Sequence, residues 1–217
     1  MCYSLYRQKW INLLQSYVSL TLSNISIERG ERDLCKGLSV VAQFGRLYQI
    51  VGENGAGKSS LLKVIAGLLR PIEGDIYLDD RVISAAMNQW SRDCLYLGHQ
   101  DGVKKLLTVE ENIRCYCPKA SAENIHTALA QLDLLSYQHT PVKQLSAGQA
   151  KRVALSRLWL SDQAIWLLDE PFSSLDVKGR ALLEDKLEQQ LIRGGLVILT
   201  THQALLRIDA QSIELTL

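Results

Sequence analysis

The chain has 217 residues, of which 47% are hydrophobic, enough for one domain with a sizeable core and too many for a disordered chain. Its formal net charge of +1 gives no sign of a nucleic-acid partner. No apolar run approaches the roughly 20 residues that span a bilayer, so we expect any membrane association to come through a partner.

Residues 1–17 stand apart from the rest of the chain. Trp10, Leu13, Leu14 and Tyr17 recur at helical spacing, which is compatible with an amphipathic helix that docks on a partner or a membrane surface. A disordered extension is the favoured interpretation, because chain termini are often poorly ordered. We therefore predict that the folded domain occupies residues 18–217.

Strand patterns dominate the first part of the predicted domain. Residues 20–51 are strand-like, and the apolar segment 46–51 leads straight into a glycine loop. A helix is predicted over 59–70, closed by Pro71. A short strand and turn are predicted over 74–82.

Helices dominate the second part. Residues 108–160 are mainly helical, and two apolar strands follow at 164–168 and 196–200, with a helix over 178–192 between them. Strands that alternate with helices predict a parallel α/β sheet with its site at the carboxyl ends of the strands.

The five cysteines stand at irregular positions, which predicts reduced thiols in a cytosolic protein. Cys115 and Cys117 form a close pair that could bind a metal ion, but no second pair or nearby histidine completes a site. Ordinary thiols are therefore the favoured interpretation.

One segment matches the phosphate-loop pattern G-x-x-x-x-G-K-[ST]: Gly52, Glu53, Asn54, Gly55, Ala56, Gly57, Lys58 and Ser59. In this pattern successive backbone N–H groups and a helix N-terminus face bound phosphate. Lys58 supplies a cation for the β- and γ-phosphates of ATP, and Ser59 a hydroxyl for Mg²⁺. With the adjacent Ser60 they form the predicted nucleotide-binding segment. A plain glycine turn is a poor alternative, because a strand precedes the loop and a helix follows it.

A phosphate loop alone leaves kinases, GTPases and motors open, and a second motif narrows the choice. The apolar run 164–168 ends in Asp169 and Glu170, so a buried strand delivers two carboxylates to its carboxyl end. Asp169 can hold the Mg²⁺ shell, and Glu170 can act as general base on the attacking water. Taken alone, the pair could also be a solvated acidic turn.

The segment Leu145-Ser146-Ala147-Gly148-Gln149 precedes these carboxylates, with Ser146 23 residues before Asp169. Ser146 and Gln149 form an S-x-x-Q capping box at the start of a predicted helix. This could be a well-capped helix and nothing more, but a capped N-terminus with a free serine hydroxyl is also an anion site.

With these motifs in this order, the chain resembles the ATP-binding cassette (ABC) family over about residues 18–217. The resemblance implies a P-loop NTPase (RecA-like) core with an antiparallel β subdomain and a helical signature subdomain. It also implies a homodimer in which Ser146, Gly148 and Gln149 belong to the signature motif and reach the γ-phosphate bound by the opposite subunit.

Three more positions acquire roles from the resemblance. Gln100 resembles the Q-loop glutamine, which contacts Mg²⁺ and the transmembrane partner, and 174–176 resembles the D-loop of the dimer interface. His202 resembles the switch histidine that contacts the γ-phosphate, although alone it would more often be an ordinary core or surface histidine.

Two positions depart from the common pattern of the family. Ala147 replaces the usual second glycine of the signature, so that loop is expected to be slightly stiffer. The segment 28–30 lacks the aromatic residue on which many cassettes stack adenine. We therefore expect adenine recognition that is weak or arginine-based.

Further stretches resemble the ATPase subunit of the cytochrome c maturation haem exporter: Tyr96–Lys104, Leu107–Asn112, Arg152–Leu160 and Leu199–Gln203. In that family Ala147 is usual, while Asp101 stands where proline is expected. The resemblance implies ATP hydrolysis at the cytoplasmic face of the inner membrane, coupled to integral permease subunits. Haem is implied only for the complex, because the chain has no haem-ligating pattern.

Other ABC proteins remain alternatives, first among them the ATPase of another small-substrate exporter. Non-transport cassettes usually carry two cassettes or long insertions, whereas only 88 positions separate Lys58 from Ser146. A non-hydrolysing binder is expected to lack Glu170 or His202, and both are present.

Overall fold

The computed structural model describes residues 18–30, 32–83, 90 and 93–215. The predicted N-terminal extension, with Cys2, lies outside the described residues. The other four cysteines carry free thiols.

The described strands form two sheets. The first is antiparallel, in the order β2-β1-β4-β5; its strands are β1 (Ser19–Arg29), β2 (Arg32–Gln43), β4 (Glu73–Leu78) and β5 (Arg81–Val82). The second is parallel, in the order β6-β7-β8-β3-β9; its strands are β3 (Leu47–Val51), β6 (Cys94–Leu97), β7 (Ile165–Asp169), β8 (Leu196–Thr200) and β9 (Ala210–Glu214). The predicted parallel α/β core is thereby confirmed.

Five α-helices accompany the sheets within the described residues: α1 (Lys58–Ile65), α2 (Val109–Tyr116), α3 (Ala122–Gln131), α4 (Ala147–Leu160) and α5 (Val177–Ile192). Two short 3₁₀ turns, Leu135–Tyr137 and Val142–Gln144, lie between α3 and α4. None of these helices combines the length and the apolar surface that crossing a bilayer requires.

Helix α1 is shorter than predicted. It ends at Ile65 and not near Arg70, because Gly67 adopts a left-handed φ of 72°. The Gly67 N–H donates to the Val64 carbonyl, and the Leu68 N–H donates to the Lys63 carbonyl. This is the glycine-dependent motif that commonly closes a helix, so the prediction of a proline-closed end was wrong.

Both faces of the parallel sheet are covered. Strands β7 and β8 are buried along their whole length and carry apolar residues on both faces, as parallel strands do. Ile165, Leu167 and Ile198 pack in one cluster with α1 and the antiparallel sheet. Trp166 and Val197 face the opposite side, in a cluster with α4 and α5.

Helices α2, α3 and α4 form a core of their own, which includes Val109, Ile125, Leu129 and Val153. A parallel core accompanied by an antiparallel sheet and a helical unit is the set of subdomains that the resemblance implied. The carboxyl ends of β3, β7 and β8 meet the start of α1, where the site is expected.

Candidate active site

A cleft of about 420 Å³ lies at this end of the parallel sheet. Nine of the predicted site residues line it: Asn54, Gly55, Gly57, Lys58, Ser59, Ser60, Asp169, Glu170 and His202. Positions more than 100 residues apart in sequence are thus brought together, because the glycine loop follows β3, the two carboxylates end β7 and His202 follows β8.

The glycine loop packs tightly against the antiparallel sheet. Gly57 has a φ of 96°, and a Cβ atom built there would lie only 2.8 Å from the Cβ of Leu34. Only glycine fits this position without displacing Leu34. Gly57 provides no side-chain cap for α1, so the N–H groups at the start of that helix are available to an anion.

The Lys58 ammonium is held over the loop. Its Nζ atom donates to the carbonyl oxygens of Gly52, at 2.7 Å, and Glu53, at 3.0 Å. The buried Ala56 contributes its N–H to the Glu53 carbonyl. Lys58 thus places a positive charge beside the loop N–H groups, where phosphate oxygens would bind.

Asp169 is buried, with only 3% of its surface exposed, and it is hydrogen-bonded to two hydroxyl groups. Its Oδ1 atom accepts hydrogen bonds from the Ser59 hydroxyl at 3.0 Å and the Thr200 hydroxyl at 2.8 Å. Burial, helped by the negative charge of Asp169, raises the pKa of Tyr96 to about 12, so this phenol stays protonated at neutral pH. The Ser59 and Asp169 oxygens are the type of ligand that Mg²⁺ prefers.

Glu170 has an unusual backbone. Its φ is 49°, in the left-handed region that costs a non-glycine residue about 1–2 kcal/mol. Its N–H donates to the Thr200 hydroxyl at 3.0 Å and to the Thr200 carbonyl at 3.2 Å. The carboxylate is mostly covered, and its Oε1 atom lies 3.6 Å from Nε2 of the exposed His202. Thr200 therefore binds the Asp169 carboxylate and the Glu170 backbone at once.

Four residues line the cleft although they were not predicted as site residues: Arg29, Leu34, His99 and Thr200. Thr200 had a signal in the sequence, since it is the polar residue that ends an apolar strand. Arg29 belongs to the segment whose missing aromatic was noted. Leu34 gave no such signal, because its place depends on how the two sheets pack. His99 follows β6 and precedes the predicted Gln100, but it was not itself predicted.

Gln100 was predicted to contact nucleotide and metal. It lies in the loop after β6 and is exposed, and the cleft is lined by its neighbour His99. Gln100 is therefore adjacent in sequence to a residue of the cleft wall, but it does not line the cleft itself.

The predicted capping box at Ser146 is confirmed. The Ser146 hydroxyl accepts from the Gln149 N–H at 3.2 Å, and the Ser146 N–H donates to Gln149 Oε1 at 2.9 Å. Ser146 is exposed at the N-terminus of α4. Ser146, Gly148 and Gln149 do not line the cleft of their own chain.

The comparisons agree with the geometry. The family model described as ABC transporter matches residues 35–173. The Cytochrome c biogenesis ATP-binding export protein CcmA of Haemophilus influenzae is 43% identical over 90% of this chain and 94% of its own length. The proteins of the same name from Salmonella typhi and Tatumella citrea are 44% and 45% identical over 86% of this chain, and the matches cover 90% and 89% of their lengths.

The chain belongs to the cytochrome c biogenesis ATP-binding export proteins of the ABC family.

Solved structures agree on the fold. A putative ABC transporter ATP-binding protein from Pyrococcus furiosus superposes with a TM-score of 0.78 at 22% identity, over 91% of this chain and 97% of that one. A bacterial Atm1-family ABC exporter with ATP bound gives a TM-score of 0.77 at 23% identity, over 87% of this chain and 35% of that one. The predicted fold class is confirmed, and as an ABC ATPase the chain binds and hydrolyses ATP.

Proposed function

We propose that this chain is the ATP-hydrolysing subunit of an exporter complex in c-type cytochrome biogenesis, powering haem export or the release of a haem chaperone. One observation carries the proposal: Lys58, Ser59, both carboxylates and His202 meet in one cleft. The identity of 43% to a CcmA protein over nearly the whole chain supports it. The complex handles the haem, and the chain itself handles ATP.

The phosphate loop, residues 52–60, binds the ATP phosphates through its N–H groups and the Lys58 ammonium. Ser59 and Asp169, whose oxygens lie 3.0 Å apart, would hold Mg²⁺ together with Gln100. The ion neutralises charge on the β- and γ-phosphates when it is bound. Arg29, on the cleft wall, takes the place of an aromatic residue beside the adenine.

Glu170 is the general base. Its carboxylate accepts a proton from the water that attacks the γ-phosphate. His202, whose Nε2 atom lies 3.6 Å from Glu170 Oε1, donates to the γ-phosphate and orients Glu170. Thr200 holds Glu170 in its left-handed conformation, so the base is positioned before ATP arrives.

The functional unit we propose is a homodimer. Ser146, Gly148 and Gln149 are away from the cleft of their own chain, yet they form an exposed capped helix end suited to an anion. In a head-to-tail dimer this end closes over the ATP of the other chain.

Mixing two inactive variants tests the dimer. Ser146→Arg and Lys58→Ala chains are each expected to be inactive alone. In a mixed dimer, one site carries both lesions and the other carries none. We therefore expect an equal mixture to recover up to roughly a quarter of wild-type ATP turnover, since about half of the dimers are mixed and each has one intact site. Sites built within a single chain would give no recovery.

The assembly we propose places the domain, residues 18–217, on the cytoplasmic face of the inner membrane. There it is peripheral and bound to integral permease subunits. We propose no nucleic-acid partner, because the net charge of +1 lacks the basic excess that is typical of nucleic-acid-binding domains.

A cellular experiment tests the cytochrome assignment. A strain whose only copy carries Glu170→Gln should lose covalently bound haem from its c-type cytochromes, because the complex assembles but cannot turn over. Its b-type cytochromes should remain normal. Haem staining of denaturing gels measures the first and absorption spectra of membranes the second. Normal c-type cytochromes would instead favour the ATPase of another small-substrate exporter.

A further inference from the structure

Lys151 is a buried cation in the second turn of α4. Only 4% of its surface is exposed, and its Nζ atom lies 2.9 Å from Asp101 Oδ1. A buried ammonium is unfavourable unless it is paired with a carboxylate, so this contact fixes Asp101 against the helix. The proline expected at position 101 could not make the contact.

Further contacts join residues 101–102 to the helical unit. Arg157 of α4 donates to the Asp101 carbonyl at 3.2 Å. Its guanidinium lies 4.4 Å from the ring of Tyr116 in α2, and the Tyr116 hydroxyl donates to the Gly102 carbonyl. Residues 101–102 are therefore held by α4 and α2.

Lys104, further along the chain, is also bound to the helical unit. The Asn112 side chain in α2, which is 1% exposed, accepts from the Lys104 N–H at 2.7 Å and donates to the Lys104 carbonyl at 3.0 Å. Upstream, β6 pairs with β7 and ends at Leu97. Residues 98–100 are thus the short junction between the parallel sheet and the helical unit, and Gln100 is the last residue of the junction.

We infer that the Asp101–Lys151 ion pair links the junction, residues 98–100, to helix α4 so that the two move as one unit. We call this ion pair the tie. Lys151 follows Ser146 by five residues in one helix, so a displacement of Gln100 toward ATP is transmitted to the end of α4 that serves the other chain. Asp101 and Lys151 are positioning residues. The inference rests on the proposed function.

Kinetics of three variants test the tie. Asp101→Asn and Lys151→Met should each lower kcat roughly tenfold and leave KM for ATP within about twofold, because the cleft itself is intact. The double variant should stay at the level of the single variants, since all three lack the same tie. Recovery of wild-type kcat in the double variant would overturn the inference, because the loss would then come from an unpaired buried charge. Arg114→Gln, which breaks an ion pair within α2, is the matched control and should keep wild-type kcat.

Hydrogen exchange provides a readout that does not depend on turnover. In the wild type, ATP with Mg²⁺ should slow exchange in peptides 52–60, 98–104 and 146–150. In Asp101→Asn, peptide 52–60 should stay protected while protection of 146–150 falls about fivefold or more. Undiminished protection of 146–150 would overturn the tie.

The same measurement separates the tie from the proposed function. Absence of ATP protection at 52–60 in the wild type would contradict the proposed function alone. Without nucleotide, the tie still predicts exchange in peptide 98–104 that is about fivefold faster or more in Asp101→Asn. An unchanged rate there would overturn the tie independently.

Discussion

Glu170→Gln is expected to lower ATP turnover at least about a hundredfold while ATP remains bound, because the amide cannot accept the proton of the attacking water. The substitution keeps the size of the side chain and leaves the backbone bonds to Thr200 intact. The nucleotide-dependent dimer should therefore accumulate. Phosphate release measures the turnover, and size-exclusion chromatography with ATP and Mg²⁺ measures the dimer.

Glu188→Gln is the matched control for this variant. Glu188 is exposed on α5 and away from the cleft, so both turnover and elution should match the wild type. An ATP-loaded Glu170→Gln chain that elutes only as a monomer would contradict both the base assignment and the dimer. Turnover near the wild-type rate would contradict the base assignment alone.

Lys58→Ala is expected to lower turnover at least about a hundredfold, because the cation that faces the transferred phosphate is lost. In the free protein, hydrogen bonds to the Gly52 and Glu53 carbonyls already hold the Lys58 ammonium at the loop. Its loss removes this positive charge, so ATP affinity should fall as well. Steady-state hydrolysis and equilibrium binding of a fluorescent ATP analogue measure the two effects.

Lys63→Ala is the corresponding control, since Lys63 is an exposed lysine in the same helix, α1. It loses an equal charge without touching the cleft and should hydrolyse ATP normally. Thermal unfolding without nucleotide should be similar for both variants. Near-normal hydrolysis by a folded Lys58→Ala protein would refute the phosphate-loop assignment.

Features that depend on local chemistry were predictable from the sequence. The capping box of Ser146 and Gln149 formed as its spacing required, because a hydroxyl and an amide three residues apart satisfy each other's backbone donors in any helix start. The buried strands β7 and β8 were also predicted nearly to the residue, since a short uninterrupted apolar run is typical of a strand that is buried on both faces.

Features that depend on partners distant in sequence were decided by the tertiary structure. Strand β9 was missed, because it is an edge strand in which only Ile213 is buried, and its place depends on pairing with β3. The Thr200 contacts to Asp169 and Glu170 cross 30 or 31 residues.

The sequence by itself indicated the chemistry that we propose for this protein: a phosphate loop, two carboxylates at the end of a buried strand and a capped signature helix. Only the tertiary structure decided that Asp101, an unexplained departure from proline, pairs with the buried Lys151 fifty residues away. The physical reason is that charge pairing depends on distance and burial in space, and neither can be read from residue spacing until the helical unit is packed.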